Sequence, residues 1–244
     1  MRKIVLYFIV ISITGILKAQ PTGKEILGMI DRNMTARTRI MSAKMIVNGV
    51  RGSRTIEFRT WTEGENKSFT EYTNPARERG TKMLKLEDKL WIYSPSSDRI
   101  IQITGQMLRQ SVMGSDLSYE DMMDDPDLAN HYSADIVGSD TVQNRNCWVL
   151  QLNALKEGEA YEVRKLWVDK EKYIPLREEL YGKSGKLLKK TELSDVRKIQ
   201  DRWFPTRVVY KDMLKSGNGT YFIIDDLKLD EDIPESTFSK GSLK

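Results

Sequence analysis

Cysteine and histidine are almost missing from this chain: Cys147 and His131 are the only ones of their kind in 244 residues. A lone cysteine makes no intramolecular disulfide, and Cys147 sits in the run Cys147-Trp148-Val149-Leu150, so it reads as a small buried hydrophobe. The usual zinc sets cannot be assembled from one histidine and one cysteine. A serine triad would have to recruit His131, yet no G-x-S-x-G elbow exists and Gly114-Ser115-Asp116 lacks the strand-then-helix setting. His131 therefore reads as a partly exposed residue at a strand start. The acids Glu120, Asp121, Asp124, Asp125 and Asp127 do not follow the D-x-D-x-D-G order of a calcium loop, and they read as a solvated, helix-stopping charge run. No catalytic residue, metal or cofactor is expected, and the chain is not read as an enzyme.

A basic excess is missing too. Residues 1–19 have the form of a signal peptide: Arg2 and Lys3, an apolar run from Ile4 to Leu17, and a small residue, Ala19, at the cleavage side, with Gln20-Pro21 following. Cleavage after Ala19 or after Gln20 fits equally. The apolar run is shorter than the roughly 20 residues that cross a bilayer. No cysteine follows it as a lipoprotein acceptor, so release as soluble protein is expected. Without Arg2, Lys3 and Lys18, the 39 basic residues fall to 36 against 35 acidic ones, and +4 becomes +1. That balance does not support a nucleic-acid footprint.

What is present is alternation. Thr22 and Glu25 form a T-x-x-E capping signature, and Ile26, Leu27, Ile30 and Met34 recur at helical spacing, so one amphipathic helix is expected over Gly23 to Arg37. From Ser42 the period changes to two. Strands are expected at Ala43–Arg51, Thr55–Thr62, Lys67–Thr73, Thr81–Leu86, Leu90–Tyr93 and Arg99–Ile103. A second run follows at Tyr132–Gly138, Cys147–Leu155, Tyr161–Val168, Leu176–Tyr181, Leu187–Val196, Trp203–Lys211 and Gly219–Lys228. Turn signals at Ser139-Asp140, Lys156-Glu157-Gly158, Gly182 to Gly185 and Ser216 to Gly219 separate them. Between the two runs, Glu120 to Met123 suits a short helix stopped at Asp124-Asp125-Pro126. With no long linker, residues 20–244 form one domain: mainly β (α+β), a strongly curved antiparallel sheet or barrel.

The strands are apolar on both faces. Leu90 and Ile92 point one way and Trp91 and Tyr93 the other; Val163 and Trp167 lie opposite Leu166 and Val168. Each face must be covered, or one must line an apolar cavity. The segment Gln106 to Asp125 holds four of the eleven methionines, Met107, Met113, Met122 and Met123, among Gly, Ser and Asp. That composition is too broken for a core helix. Methionine suits a surface that fits a variable apolar partner, so a methionine-rich lid, with the helix from Gly23, over an apolar cavity is the reading.

The stretch Gly80 to Met122, with Asp88-Lys89-Leu90-Trp91-Ile92-Tyr93-Ser94-Pro95 at its centre, resembles the bacterial outer-membrane lipoprotein-sorting family, the relatives of the periplasmic carrier LolA. Leu166-Trp167-Val168-Asp169 and Tyr173-Ile174-Pro175-Leu176 are similar to that family's later hairpin. The carrier's basic-proline element is absent, since the corresponding Thr62-Glu63-Gly64-Glu65-Asn66 is acidic. The resemblance implies an incomplete antiparallel β-barrel with helices as a lid over an apolar cavity. It also implies a periplasmic monomer that ferries acylated lipoprotein or lipid cargo from an inner-membrane transporter, an ABC or other exporter, to an outer-membrane acceptor. The cavity and lid residues are then Leu90, Trp91, Ile92, Tyr93, Ile101, Ile103, Met107, Leu108, Met113, Met122 and Met123, and which strand face turns inward stays open. The alternative is a non-enzymatic accessory that docks on an envelope export complex through the methionine-rich segment.

Overall fold

The computed structural model describes residues 20–49, 52–123 and 127–244. The leader at 1–19 and the helix stop at Asp124-Asp125-Pro126, with two acids of the charge run, lie outside the described residues.

Helix α1 (Gly23–Met34) starts as its capping box dictates: the Glu25 carboxylate accepts from the Thr22 amide at 2.7 Å and the Glu25 amide donates to Thr22 Oγ1 at 3.2 Å. It stops at Met34 rather than Arg37. The β-branched Thr35 turns extended and its hydroxyl donates to the Asp31 carbonyl at 2.6 Å, which closes the last turn. Its apolar stripe, Ile26, Leu27 and Ile30, is buried. Each such side chain contributes about 1.5–3 kcal/mol on leaving water.

Six strands follow: β1 (Thr38–Gly49), β2 (Gly52–Glu63), β3 (Lys67–Asn74), β4 (Lys82–Leu86), β5 (Lys89–Ser94) and β6 (Arg99–Ile103). After a crossing segment that holds short helices α2 (Tyr119–Met123) and α3 (Leu128–His131) come β7 (Tyr132–Val142), β8 (Arg145–Ala154), β9 (Val163–Asp169), β10 (Pro175–Tyr181), β11 (Leu187–Ile199), β12 (Arg202–Asp212) and β13 (Thr220–Leu229). All are antiparallel in one sheet of order β6-β5-β4-β3-β2-β1-β13-β12-β11-β10-β9-β8-β7. The two meanders join at the centre, where Arg39 lies opposite Leu229 and Val47 opposite Thr220. The sheet is curved and not closed into a barrel, and its two edges, β6 and β7, are consecutive in the chain. The connection between them must therefore cross the open mouth.

Two expectations need correction here. Strand β7 runs through Ser139-Asp140 to Val142, and the turn falls at Gln143-Asn144, whose φ values of 51° and 60° make the tight left-handed pair of a two-residue hairpin. Asp140 stays in the strand because Trp167 Nε1 donates to its carboxylate at 2.9 Å. His131 ends α3 rather than beginning a strand, and its Nδ1 lies 2.8 Å from Glu159 Oε1.

The two-faced strands have a cover on each side. Against β7–β9, α1 packs on Tyr132, Trp148, Leu150, Leu152, Leu166 and Val168. Trp167, on the other face with Cys147, Val149 and Leu176, is covered by the Lys165 and Arg177 side chains, each charge 5.2 Å from the indole centre. On the outer face of β3–β5, Phe69, Leu84 and Trp91 lie under the C-terminal segment, whose 3₁₀ turns Glu235–Phe238 and Lys240–Leu243 bury Phe238 and Leu243. Lys82 Nζ donates to the Ser242 carbonyl at 3.0 Å and holds that strap down.

The start of α1 is pressed against β7: a Cβ added at Gly23 would lie 2.1 Å from the Ala134 carbonyl oxygen. Gly23→Ala is expected to cost about 1–3 kcal/mol of unfolding free energy, because backbone, not a flexible side chain, must move. Urea unfolding of the two proteins measures it; an unchanged midpoint would show that the helix can slide.

Candidate functional site

The concave face of β1–β6 is an apolar floor built by period-two alternation: Met45 from β1, Phe58 from β2, Tyr72 from β3, Met83 from β4, Leu90 from β5 and Ile103 from β6, all buried. Phe58 and Tyr72 have ring centres 5.7 Å apart, and Phe222 of β13 extends the row at 5.5 Å from Phe58. The Tyr72 phenol donates to Met83 Sδ at 3.3 Å, and burial pushes its pKa far above the usual tyrosine value. It stays neutral, which suits an apolar wall.

The crossing segment is the roof. A 3₁₀ turn at Gly105–Arg109 sets Met107 and Leu108 on the floor, Met113 follows at φ 50° with Gly114 at φ 71° to make the bend, and α2 adds Met122 and Met123. Of the residues expected to form cavity and lid, Leu90, Ile92, Ile103, Met107, Leu108, Met113, Met122 and Met123 come together in this one cluster. Trp91 and Tyr93 face the opposite way, beneath the C-terminal strap. Ile101 lies opposite Ile92 on the edge strand and is 47% exposed. The roof packs onto the floor, and α1 occupies the other half of the concave face.

The polar residues of the roof were not foreseen as a group. Asp116 is buried: its carboxylate accepts from Thr220 Oγ1 at 2.8 Å and from the Asp212 amide at 3.0 Å. Asp121 caps α2 by accepting from the Ser118 amide at 2.6 Å, receives the Tyr161 hydroxyl at 2.5 Å, and pairs with Lys189. Its side chain is 12% exposed, so the solvated reading of the charge run fails at this residue. Lys215 donates to Ser111 Oγ and the Ser115 carbonyl, Arg54 to the Met113 carbonyl, and Lys85 to the Met123 carbonyl. The roof is thus greasy beneath and pinned at its margin by charge-assisted hydrogen bonds, roughly twice as strong as neutral ones. The signal in the sequence was the small polar set Ser111, Ser115, Asp116, Ser118 and Asp121 inside an apolar stretch, since buried polar atoms require partners.

Beside this margin opens a cleft of about 650 Å³ with mixed polar and apolar walls, between the roof at Ser111 and Ser118 and the turns that follow β8, β10 and β12. Half-buried Tyr210 of β12 feels the charges of the same region: desolvation, then the charges of Asp121 and Glu178, raise its pKa far above the ordinary range. Cys147 donates to the Arg145 carbonyl at 3.4 Å, and burial pushes its thiol pKa up, away from reactivity. Among the described residues no three His, Cys, Asp or Glu side chains gather as a metal set, and no helix is long and apolar enough to cross a membrane.

A family model described only as an uncharacterized protein matches residues 64–244. No curated protein matches the chain. A DUF1329 family protein from Desulfovibrio piger superposes with a TM-score of 0.81 at 26% identity, covering 91% of this chain and 98% of its own. A protein domain described as outer membrane lipoprotein-sorting, from Vibrio parahaemolyticus, gives 0.78 at 23% identity over 91% of this chain and 97% of its own. A LolA superfamily protein from Nitrosomonas europaea gives 0.76 at 24% identity over 91% of this chain and 100% of its own.

Proposed function

We propose a carrier function from one premise: the chain belongs to the uncharacterized protein family whose model spans residues 64–244, and it is built on the fold of the LolA superfamily. The protein takes up the acyl chain of a lipoprotein or other lipid between the floor of β1–β6 and the methionine-rich roof. It carries this cargo through the periplasm from an inner-membrane donor to an outer-membrane acceptor.

The observation that carries the reading is the roof itself: apolar beneath, pinned only at its margin, and crossing the open mouth of the sheet. The physics calls for such a device. An acyl chain costs about 0.8 kcal/mol per methylene in water, so one of about 14 carbons costs roughly 11 kcal/mol. When the roof lifts, Met107, Leu108, Met113, Met122 and Met123 exchange contacts with Leu90, Ile92 and Ile103 for contacts with the chain. Flexible thioethers adapt to a chain of variable shape, and the exchange shifts a population without breaking a bond.

Native mass spectrometry of protein from its host envelope should show a bound lipid or acyl-peptide. Met113→Asp with Met122→Asp should reduce uptake of a fluorescent fatty acid at least tenfold, because each chain carbon then faces a buried charge. A protein that is empty from the envelope and takes up no fatty acid ends the carrier reading.

A further inference from the structure

Among the described residues, six large apolar side chains stand exposed, and their positions sort them. Ile100, Ile101 and Val137 lie on the two edge strands, whereas Leu155, Met213 and Leu214 lie on turns at the end of the sheet where the cleft opens. Met213 and Leu214 are adjacent, 43% and 63% exposed, at the start of the turn between β12 and β13.

That turn is held firmly. The Met213 amide donates to the Leu188 carbonyl at 2.9 Å, the Leu214 amide to Asp212 Oδ1 at 2.9 Å, and Lys215 is pinned to the roof. A rigid turn that presents two apolar side chains to water gains nothing for folding. Its neighbour on the rim, the β10–β11 turn Gly182-Lys183-Ser184-Gly185-Lys186, contains two exposed lysines and no acid. Leu188 links the two, since it bonds Met213 and its side chain touches Gly182. Lys183 and Lys186 have no ion pair among the described residues, and Lys211 donates to a carbonyl, so its charge is also uncompensated. The acids Glu157, Glu159 and Glu162 lie on the separate β8–β9 turn and tilt that side away from negative charge.

We propose that the β12–β13 and β10–β11 turns form a docking tip for an anionic bilayer surface. Met213 and Leu214 enter the interfacial layer while Lys183, Lys186 and Lys211 meet lipid phosphates. Apolar insertion and basic charge side by side are the two signals that hold a peripheral protein on such a surface. Docking brings the roof margin that Lys215 holds close to the lipid, while the acidic β8–β9 wall of the cleft faces away from it. The inference rests on these two turns and goes beyond the carrier reading.

The test is co-sedimentation of the full chain with vesicles of phosphatidylcholine mixed with phosphatidylglycerol, against phosphatidylcholine alone. Binding is expected only to the mixed vesicles and should weaken with salt. K183Q/K186Q should lower affinity about fivefold per lysine. M213S/L214S should lower it at least tenfold, roughly the value of one buried leucine. Circular dichroism melts should not move, because all four side chains are exposed. Equal binding to neutral vesicles, or variants that bind as the parent does, overturns the proposal. So does a parent that ignores both vesicles yet captures a protein partner through Met213 and Leu214. Fatty-acid uptake measured without vesicles separates the two readings: uptake without docking removes this tip, and docking without uptake removes the carrier.

Discussion

Replacing Phe238 and Leu243 together by alanine should remove about 5 kcal/mol or more of unfolding free energy. Both side chains are buried, 6% and 0% exposed, against Phe69, Leu84 and Trp91. Truncating a packed phenylalanine costs about 3–5 kcal/mol and a packed leucine about 2–5, and the strap cannot collapse onto the rigid sheet to fill the voids. The two share neighbours, so the double variant should fall short of their sum. Since whole domains are stable by about 5–15 kcal/mol, the variant should be partly unfolded or aggregate through the uncovered outer face. Urea unfolding gives the number, and a loss below about 1 kcal/mol would mean that the strap rides loosely on the sheet.

Asp121→Ala should cost about 3–5 kcal/mol, because it leaves Lys189, 14% exposed, with its charge stranded beneath the roof and deprives the Tyr161 hydroxyl of its acceptor. Substituting both partners, Asp121→Leu with Lys189→Met, should recover most of that loss, since an apolar pair of similar volume removes the stranded charge. Hydrogen exchange separates latch from scaffold. In Asp121→Ala the amides of residues 105–123 should exchange faster while those of β8 and β9 keep their protection. Uniform loss of protection would make Asp121 a residue of the whole fold rather than a latch. Asp116 offers the comparison: it binds Thr220 and the Asp212 amide, with no lysine on its carboxylate among the described residues, so Asp116→Asn should be milder.

The strands were legible because turn residues bound them and alternation survives in several, as at Ala43, Met45 and Val47; Arg99–Ile103 and the runs from Lys67 and Leu187 start where the turn residues end. Alternation shows that a strand has two apolar faces but not what covers each. Leu90 and Ile92 meet methionines, Trp91 and Tyr93 meet the C-terminal strap, and the sequence treats both pairs alike. The strap was invisible because Ile233, Phe238 and Leu243 follow neither period and are held by strands far away in sequence. Gly138-Ser139-Asp140 has turn composition, yet cross-strand pairing with β8 and the bond to Trp167 override it. Asp121 looked solvated because its partner Lys189 comes from the other meander, as does Thr220, the partner of Asp116, and no local pattern announces a long-range polar contact.

The joint between β1 and β13 decides the order in which the chain can be assembled. Each flank of the sheet is a run of neighbouring hairpins and can form as soon as its own residues emerge. The central ladder joins Arg39 to Leu229, one from near each terminus, so β1 waits with an open edge until nearly the whole chain is present. Closing so long a loop sets the slow step of folding. The folding chain is therefore most open to aggregation or proteolysis in that interval, with both edges of its future seam unpaired.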